Sequence, residues 1–281
     1  MNVSPIFADH FADPATAAAL RRHREDRDAL LLSLTSSLKA DPRVRAAWLW
    51  GSFGRGEADD LSDLDPWLIV SDADVAKTGP SLRLYVEQSG SFIAGGESPQ
   101  NAPTGGGYFS SLHEGRHGLL HLDCYWQPQS AVYQVPSEGL LFDRLGEPMA
   151  PLMQEPSPAE RPLVNTPLDG RVEDGLGFAW LMFSISAKHL ARDPLSDMSL
   201  MLYPRQAFEE AALLLGQAAA ADWTVPEAPL EKVERLRHLV GQAERLRLAA
   251  NTQGYDLSPL FTPCLFCYLD MVEAILRSNV V

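Results

Sequence analysis

The sequence predicts an α+β protein in two parts, a first half that alternates helices with strands and an all-helical second half. Three observations lead to this. Short apolar runs separated by glycine-rich turns fill residues 44–145, the signature of strands and tight connections. Six of the chain's 21 prolines then fall between 146 and 168, a density that interrupts helix and sheet alike. Beyond them, apolar residues recur at helical spacing. The organisation expected is a domain at 1–145, a Pro-rich linker at 146–168 and a helical domain at 169–281.

The elements follow in order. Residues 14–39 form a long helix, capped by Asp13, with Pro14 in its first turn and leucines at 20, 30, 31, 34 and 38. Asp41-Pro42 ends it. Val44–Trp50 is a strand that runs into the Gly51-Ser52 turn, with a short helix from Phe53, and Leu64–Val70 is a second strand. Residues 74–89 are weakly helical and broken at Gly79-Pro80. Residues 90–107, with Gly95-Gly96 and Gly105-Gly106-Gly107, read as a mobile loop. Tyr108–His113 and His117–Trp126 make a hairpin around Glu114-Gly115-Arg116, and short strands follow at 131–135 and 140–144. Helices are expected at 169–192, 204–221, 229–250 and 257–278.

At 281 residues, 46% of them hydrophobic and 21% charged, the chain can bury a substantial core. No apolar run reaches the roughly 20 residues of a membrane span, and the N-terminus has no basic stretch of a signal peptide, so a cytoplasmic protein is expected. Cys124, Cys264 and Cys267 form no disulfide framework, and the CxxC at 264–267 has no second ligand pair for zinc, so all three read as buried thiols. The formal charge of −14 repels nucleic acid and favours a cationic partner. The one basic run, Arg21-Arg22-His23-Arg24, is diluted by Glu25, Asp26 and Asp28 and reads as a solvated helix face.

The chemistry sits in one constellation. Small residues at Gly51-Ser52 let backbone N–H groups and a hydroxyl approach a phosphate chain. Eleven residues after Ser52 come Asp63 and Asp65, which project from the same side of an extended strand. In-line displacement at phosphorus uses two metal ions roughly 3.5–4 Å apart, bridged by such a carboxylate pair, and a third carboxylate completes the set. Asp123 is the candidate. Alternation puts His121, Asp123 and Tyr125 on one strand face and Leu120, Leu122, Cys124 and Trp126 on the other, and an aspartate inside an apolar strand requires a partner. Asp59 and Asp60 read as solvated loop acids, and Trp48, Trp50, Trp67 and Trp126 as packing.

Gly51-Ser52-Phe53-Gly54-Arg55-Gly56-Glu57, then Ser62-Asp63-Leu64-Asp65 and a hydrophobic strand, resembles the signature of the DNA polymerase β-like nucleotidyltransferase superfamily. It looks most like the small-molecule branch, the aminoglycoside and lincosamide nucleotidyltransferases. The resemblance covers the first half of the chain. It implies a palm, a mixed sheet with flanking helices, followed by a helical bundle, with a cleft for NTP and acceptor between the two. It implies that Gly51 and Ser52 contact nucleotide phosphates and that Asp63, Asp65 and Asp123 are catalytic and ligate two Mg2+ ions. Arg55 falls at a common family position as a nucleotide-binding candidate, and Lys188, on the first C-terminal helix, is a candidate for the triphosphate.

Two departures stand out. Pro66 follows Asp65 directly and suggests an edge or irregular strand. Related enzymes can use a glutamate on the helical part as general base, but the position four before Lys188 is Ser184, which leaves Glu173, Glu209 and Glu210 as weak candidates. The reaction implied is transfer of a nucleoside monophosphate, AMP from ATP or the equivalent from another NTP, to a hydroxyl of a small polar acceptor. Alternatives are a nucleotidyltransferase acting on a protein or a tRNA end, and a non-catalytic nucleotide-binding module. Some relatives assemble their site across a homodimer.

Overall fold

A computed structural model describes residues 5–97, 101–133, 139–145, 150–151, 170–218 and 221–278. Among them the chain is mixed α/β, with a six-stranded mixed sheet and seven α-helices. The order is α1 (Pro14–Ala40), β1 (Val44–Leu49), α2 (Gly51–Gly54), β2 (Pro66–Val70), α3 (Val75–Gln88), β3 (Ser91–Glu97), β4 (Gly107–Gly115) and β5 (Gly118–Pro128). Then come β6 (Val132–Tyr133), β7 (Leu140–Asp143), β8 (Ala150–Pro151), α4 (Gly170–Arg192), α5 (Arg205–Leu214), α6 (Pro229–Thr252) and α7 (Phe261–Ser278). The chain divides into two compact units: Arg24–Glu114 with Leu120–Val164, and Met1–His23 with Gly115–Leu119 and Asn165–Val281.

The first of these units holds the sheet, in the order β3-β4-β5-β2-β1-β7. β1 and β2 run antiparallel, with Ala47 opposite Leu68, whereas β2 and β5 are parallel, with Trp67 opposite Tyr125. One sheet face buries Val44, Ala47, Leu64, Leu68, Leu122 and Cys124 together with Leu30, Leu34 and Leu38 of α1 and Leu82 and Val86 of α3. Spacing of four residues keeps those three α1 leucines on one helix face, and each contributes about 1.5–3 kcal/mol by leaving water. The opposite face gathers Ala46, Trp48, Trp67 and Ile69.

Both ends of α1 are secured by aspartates. Asp13 Oδ2 accepts from Thr16 Oγ1 at 2.6 Å and Thr16 N at 2.9 Å, and these bonds hold its carboxyl below the usual range. At the other end Arg43 forks onto Asp41 and lowers that carboxyl in the same way.

Several expectations are corrected. Of the two alternatives for Pro66, the edge is wrong, since β2 lies between β5 and β1, but the strand is irregular there: Leu64 pairs with Leu122 only as an isolated bridge and β2 begins at Pro66, where a missing N–H costs least. Pro80 does not break α3, which runs through it from Val75 to Gln88. Part of the expected loop at 90–107 is strand β3, paired antiparallel with β4. The expected linker falls outside the described residues except at Ala150–Pro151, which pairs with Val132–Tyr133.

In the other unit α4 packs against α5, α6 and α7. Trp180 of α4 stacks on Phe261 of α7 with ring centroids 4.1 Å apart. α5 stops at Leu214 rather than 221, because Gly216 turns left-handed (φ +66°) and Gln217 N closes onto Ala212 O at 2.9 Å. α7 starts at Phe261 rather than 257, because Leu257 is fastened at both backbone groups to Asn251 of α6. Cys124 and Cys264 are buried as expected, but Cys267 is exposed.

Lys232 is only 4% exposed, and its ammonium donates to Ser196 O at 2.7 Å and Pro194 O at 3.3 Å, pinning the turn after α4. Lys232→Met should lower unfolding free energy by about 1–3 kcal/mol, the worth of charge-assisted hydrogen bonds to two part-buried carbonyls. Urea denaturation would read this as a lower midpoint at unchanged slope.

Candidate active site

β1 delivers the chain to Gly51, whose φ of +59° favours glycine, and Trp50 N donates to Asp65 O at 2.8 Å. That bond ties the turn to the start of β2. α2 is a single turn, closed by Gly54 N on Trp50 O at 3.1 Å, after which Glu57 N donates to Ser52 O at 2.8 Å. A side chain on Gly51 would meet Asp65: its β-carbon would overlap Oδ2 and stand 3.0 Å from Cγ. The structure thus brings Gly51 and Asp65 together.

The three aspartates are set by strand alternation on two neighbours. Leu64 forms a parallel bridge with Leu122, donating to His121 O at 3.1 Å and accepting from Asp123 N at 2.8 Å. Leu64 and Leu122 both enter the core. Asp63 and Asp65 on one segment, and His121 and Asp123 on β5, are therefore on the opposite side from that core. Asp63, Asp65 and Asp123 lie on adjacent segments, as the sequence suggests.

His121 bridges two of them. Its Nε2 is 2.9 Å from Asp123 Oδ1, and its Nδ1 is 3.5 Å from Asp63 Oδ2. Burial opposes charge on the ring, but the two carboxylates outweigh burial and lift the imidazole to about 10. Tyr108 OH donates to Asp123 Oδ1 at 2.6 Å, and Ser110 Oγ lies 3.0 Å from His121 Nε2. Burial would raise the Asp123 carboxyl, yet the His121 charge and these hydrogen bonds hold it below its usual range. The same burial, with Asp123 adjacent, pushes the Cys124 thiol up to about 12 and raises the Tyr108 phenol.

Sequence reasoning placed His121 on the right face without a role and missed Tyr108 and Ser110. The signal was available. Tyr108-x-Ser110 on β4 faces His121-x-Asp123 on β5, two alternating pairs across one hairpin.

The remaining candidates are placed as follows. Arg55 is exposed and pairs with Glu57 at 2.6 Å, a contact worth about 0–1 kcal/mol. Lys188 lies on α4, in the other unit, and is buried. Glu209 is taken by Arg205 at 2.8 Å, Glu210 accepts from Gln206 at 3.0 Å, and Glu173 is exposed in the first turn of α4. Asp59 and Asp60 are not solvated. Asp60 is 1% exposed and paired with Arg24 at 3.0 Å, while Asp59 Oδ1 accepts from Leu61 N and Ser62 Oγ. The basic run is likewise not a solvated face throughout, since His23 is buried. Trp48, Trp67 and Trp126 are packed as expected, with Trp67 stacked on Tyr125 at 4.9 Å.

Among the described residues no group of three or more His, Cys, Asp or Glu side chains is placed to hold a metal ion as it stands. The donor chemistry of Asp63, Asp65 and Asp123 nevertheless suits magnesium: hard carboxylate oxygens, with no thiolate in the cluster. In comparisons with known proteins, no family model matches the chain, and no curated protein matches it significantly.

Proposed function

We propose that this chain is a magnesium-dependent nucleotidyltransferase that moves a nucleoside monophosphate, AMP from ATP in the leading case, onto a hydroxyl of a small polar acceptor. One observation carries the reading. Trp50, which leads from β1 into the tight Gly-Ser turn, donates its N–H to Asp65 O, and Asp63 and Asp65 lie beside Asp123 of the adjacent parallel strand. The resemblance to the nucleotidyltransferase palm is built from these same residues.

In that reaction the acceptor hydroxyl releases its proton to water as its oxygen bonds to the α-phosphorus, the bond from that phosphorus to the α–β bridging oxygen breaks, and pyrophosphate leaves. Gly51 and Ser52 hold the phosphates through backbone N–H groups and the Ser52 hydroxyl. Asp63, Asp65 and Asp123 would hold Mg2+, which when bound neutralises charge developing on the phosphoryl oxygens. Tyr108 and His121 keep Asp123 in one orientation, because both engage its Oδ1. The acidic chain, at −14, favours a cationic acceptor, and an aminoglycoside-like or lincosamide-like antibiotic is the class proposed.

Mass spectrometry after incubation with ATP, magnesium and a panel of aminoglycosides and lincosamides tests this directly. The expected result is a gain of one nucleotidyl group on at least one acceptor, dependent on magnesium. No gain on any of them overturns the acceptor class. No magnesium-dependent NTP turnover with any acceptor overturns the reaction.

A further inference from the structure

Eight residues separate α2 from Asp63, and what holds them is not local. Arg27 of α1 is 5% exposed, and its guanidinium reaches the middle and the last residue of the segment as well as α2 before it. Its Nη1 donates to Asp59 O at 2.7 Å and to Ser62 O at 3.4 Å, and its central carbon lies 4.8 Å from the centroid of the Phe53 ring. Phe53 follows Ser52 of the phosphate turn directly, and Ser62 immediately precedes Asp63. The remaining donors, Nε and Nη2, close on Asp28 Oδ1 at 3.1 and 3.0 Å.

A core filler at this position would be apolar, since burying a guanidinium costs free energy unless its donors are used. Here the donors meet backbone carbonyls, and the flat face meets an aromatic ring. A lysine could not supply both, being a single point charge without a fork. The segment is also braced from within: Asp59 N donates to Ser62 Oγ at 2.9 Å, and Asp60 is held by Arg24, one turn before Arg27.

We infer that Arg27 is a positioning residue that sets the Gly51-Ser52 turn at a fixed distance from Asp63; its catalytic consequence rests on the nucleotidyl-transfer reading. Arg27 touches neither phosphate nor metal in this role. It fixes the segment that joins the groups which would.

The test compares Arg27→Lys and Arg27→Met with the wild-type chain by hydrogen exchange and by steady-state kinetics on an acceptor the wild type uses. Exchange at the amides of Glu57, Asp59, Leu61 and Ser62 should quicken about tenfold or more in Arg27→Met while the amides of β1 and β2 keep their protection. Turnover should fall about 10–100-fold, mostly in kcat, as expected for catalytic groups displaced by an ångström or less. Arg27→Lys keeps the buried charge and the fold but should loosen the same amides to a lesser degree.

Wild-type exchange in this segment of Arg27→Met overturns the positioning role, whatever the activity. So does a kcat that falls no further than the folded fraction does. A loosened segment in a chain whose wild type transfers nucleotide to nothing overturns the functional reading instead and leaves the positioning role standing.

Discussion

Asp63→Asn should cut magnesium-dependent nucleotidyl transfer by about a thousandfold or more, equal to about 4 kcal/mol of lost transition-state stabilisation, with the fold retained. The amide has the carboxylate's shape, so Leu64 keeps its bonds to His121 and Asp123 and the register of the two strands is undisturbed. What disappears is one negative charge from a set of three on adjacent segments. Removing a like charge relieves repulsion, although the 3.5 Å pairing of Asp63 with His121 is lost with it. His121 retains its shorter contact with Asp123 at 2.9 Å. The melting temperature without metal should therefore stay within a few degrees of the wild type while turnover collapses. Turnover that survives the exchange across an acceptor panel sinks the catalytic reading. Turnover lost together with a large fall in melting temperature shows that Asp63 serves the fold.

Much of this site was legible because it depends on period two. Leu120, Leu122 and Cys124 are buried while His121, Asp123 and Tyr125 are less so, the alternation read from the residues alone. Helix α1 was equally plain, since its cap, its leucines and its Asp41-Pro42 stop are local features. The failures share a physical cause, which is that partners distant in sequence leave no local trace. Asp60 lies 36 residues from Arg24, so nothing nearby indicates that it is buried and paired. The glycines at 95 and 107 read as loop, yet both lie in strands. A β-carbon on Gly95 would come within 2.6 Å of the Phe109 ring, and one on Gly107 would overlap Trp126. Such glycines mark where a large ring lies against a strand, and a sequence window cannot separate that use from a flexible turn.

Gly51→Ala should lower kcat about a hundredfold, an effect out of proportion to its cost in stability. Two separate consequences follow from the added methyl. The first is backbone strain, since φ is +59° and a non-glycine residue pays roughly 1–2 kcal/mol there. The second is a collision with the carboxylate of Asp65, whose Oδ2 occupies the space the β-carbon needs. Asp65 has a short side chain at the start of a central strand, with Pro66 fixing φ just after it. It can therefore escape only by turning its oxygens away from the turn. Gly216→Ala separates the two consequences. Its φ is +66°, so the strain is comparable, but nothing lies within 4 Å of its β-carbon. Both variants should lose similar unfolding free energy in urea, and only Gly51→Ala should lose turnover. Equal activity in the two would mean that the turn and Asp65 do not act together. A Gly51→Ala variant impaired only in KM for ATP would mean that the turn binds phosphate without setting the carboxylate.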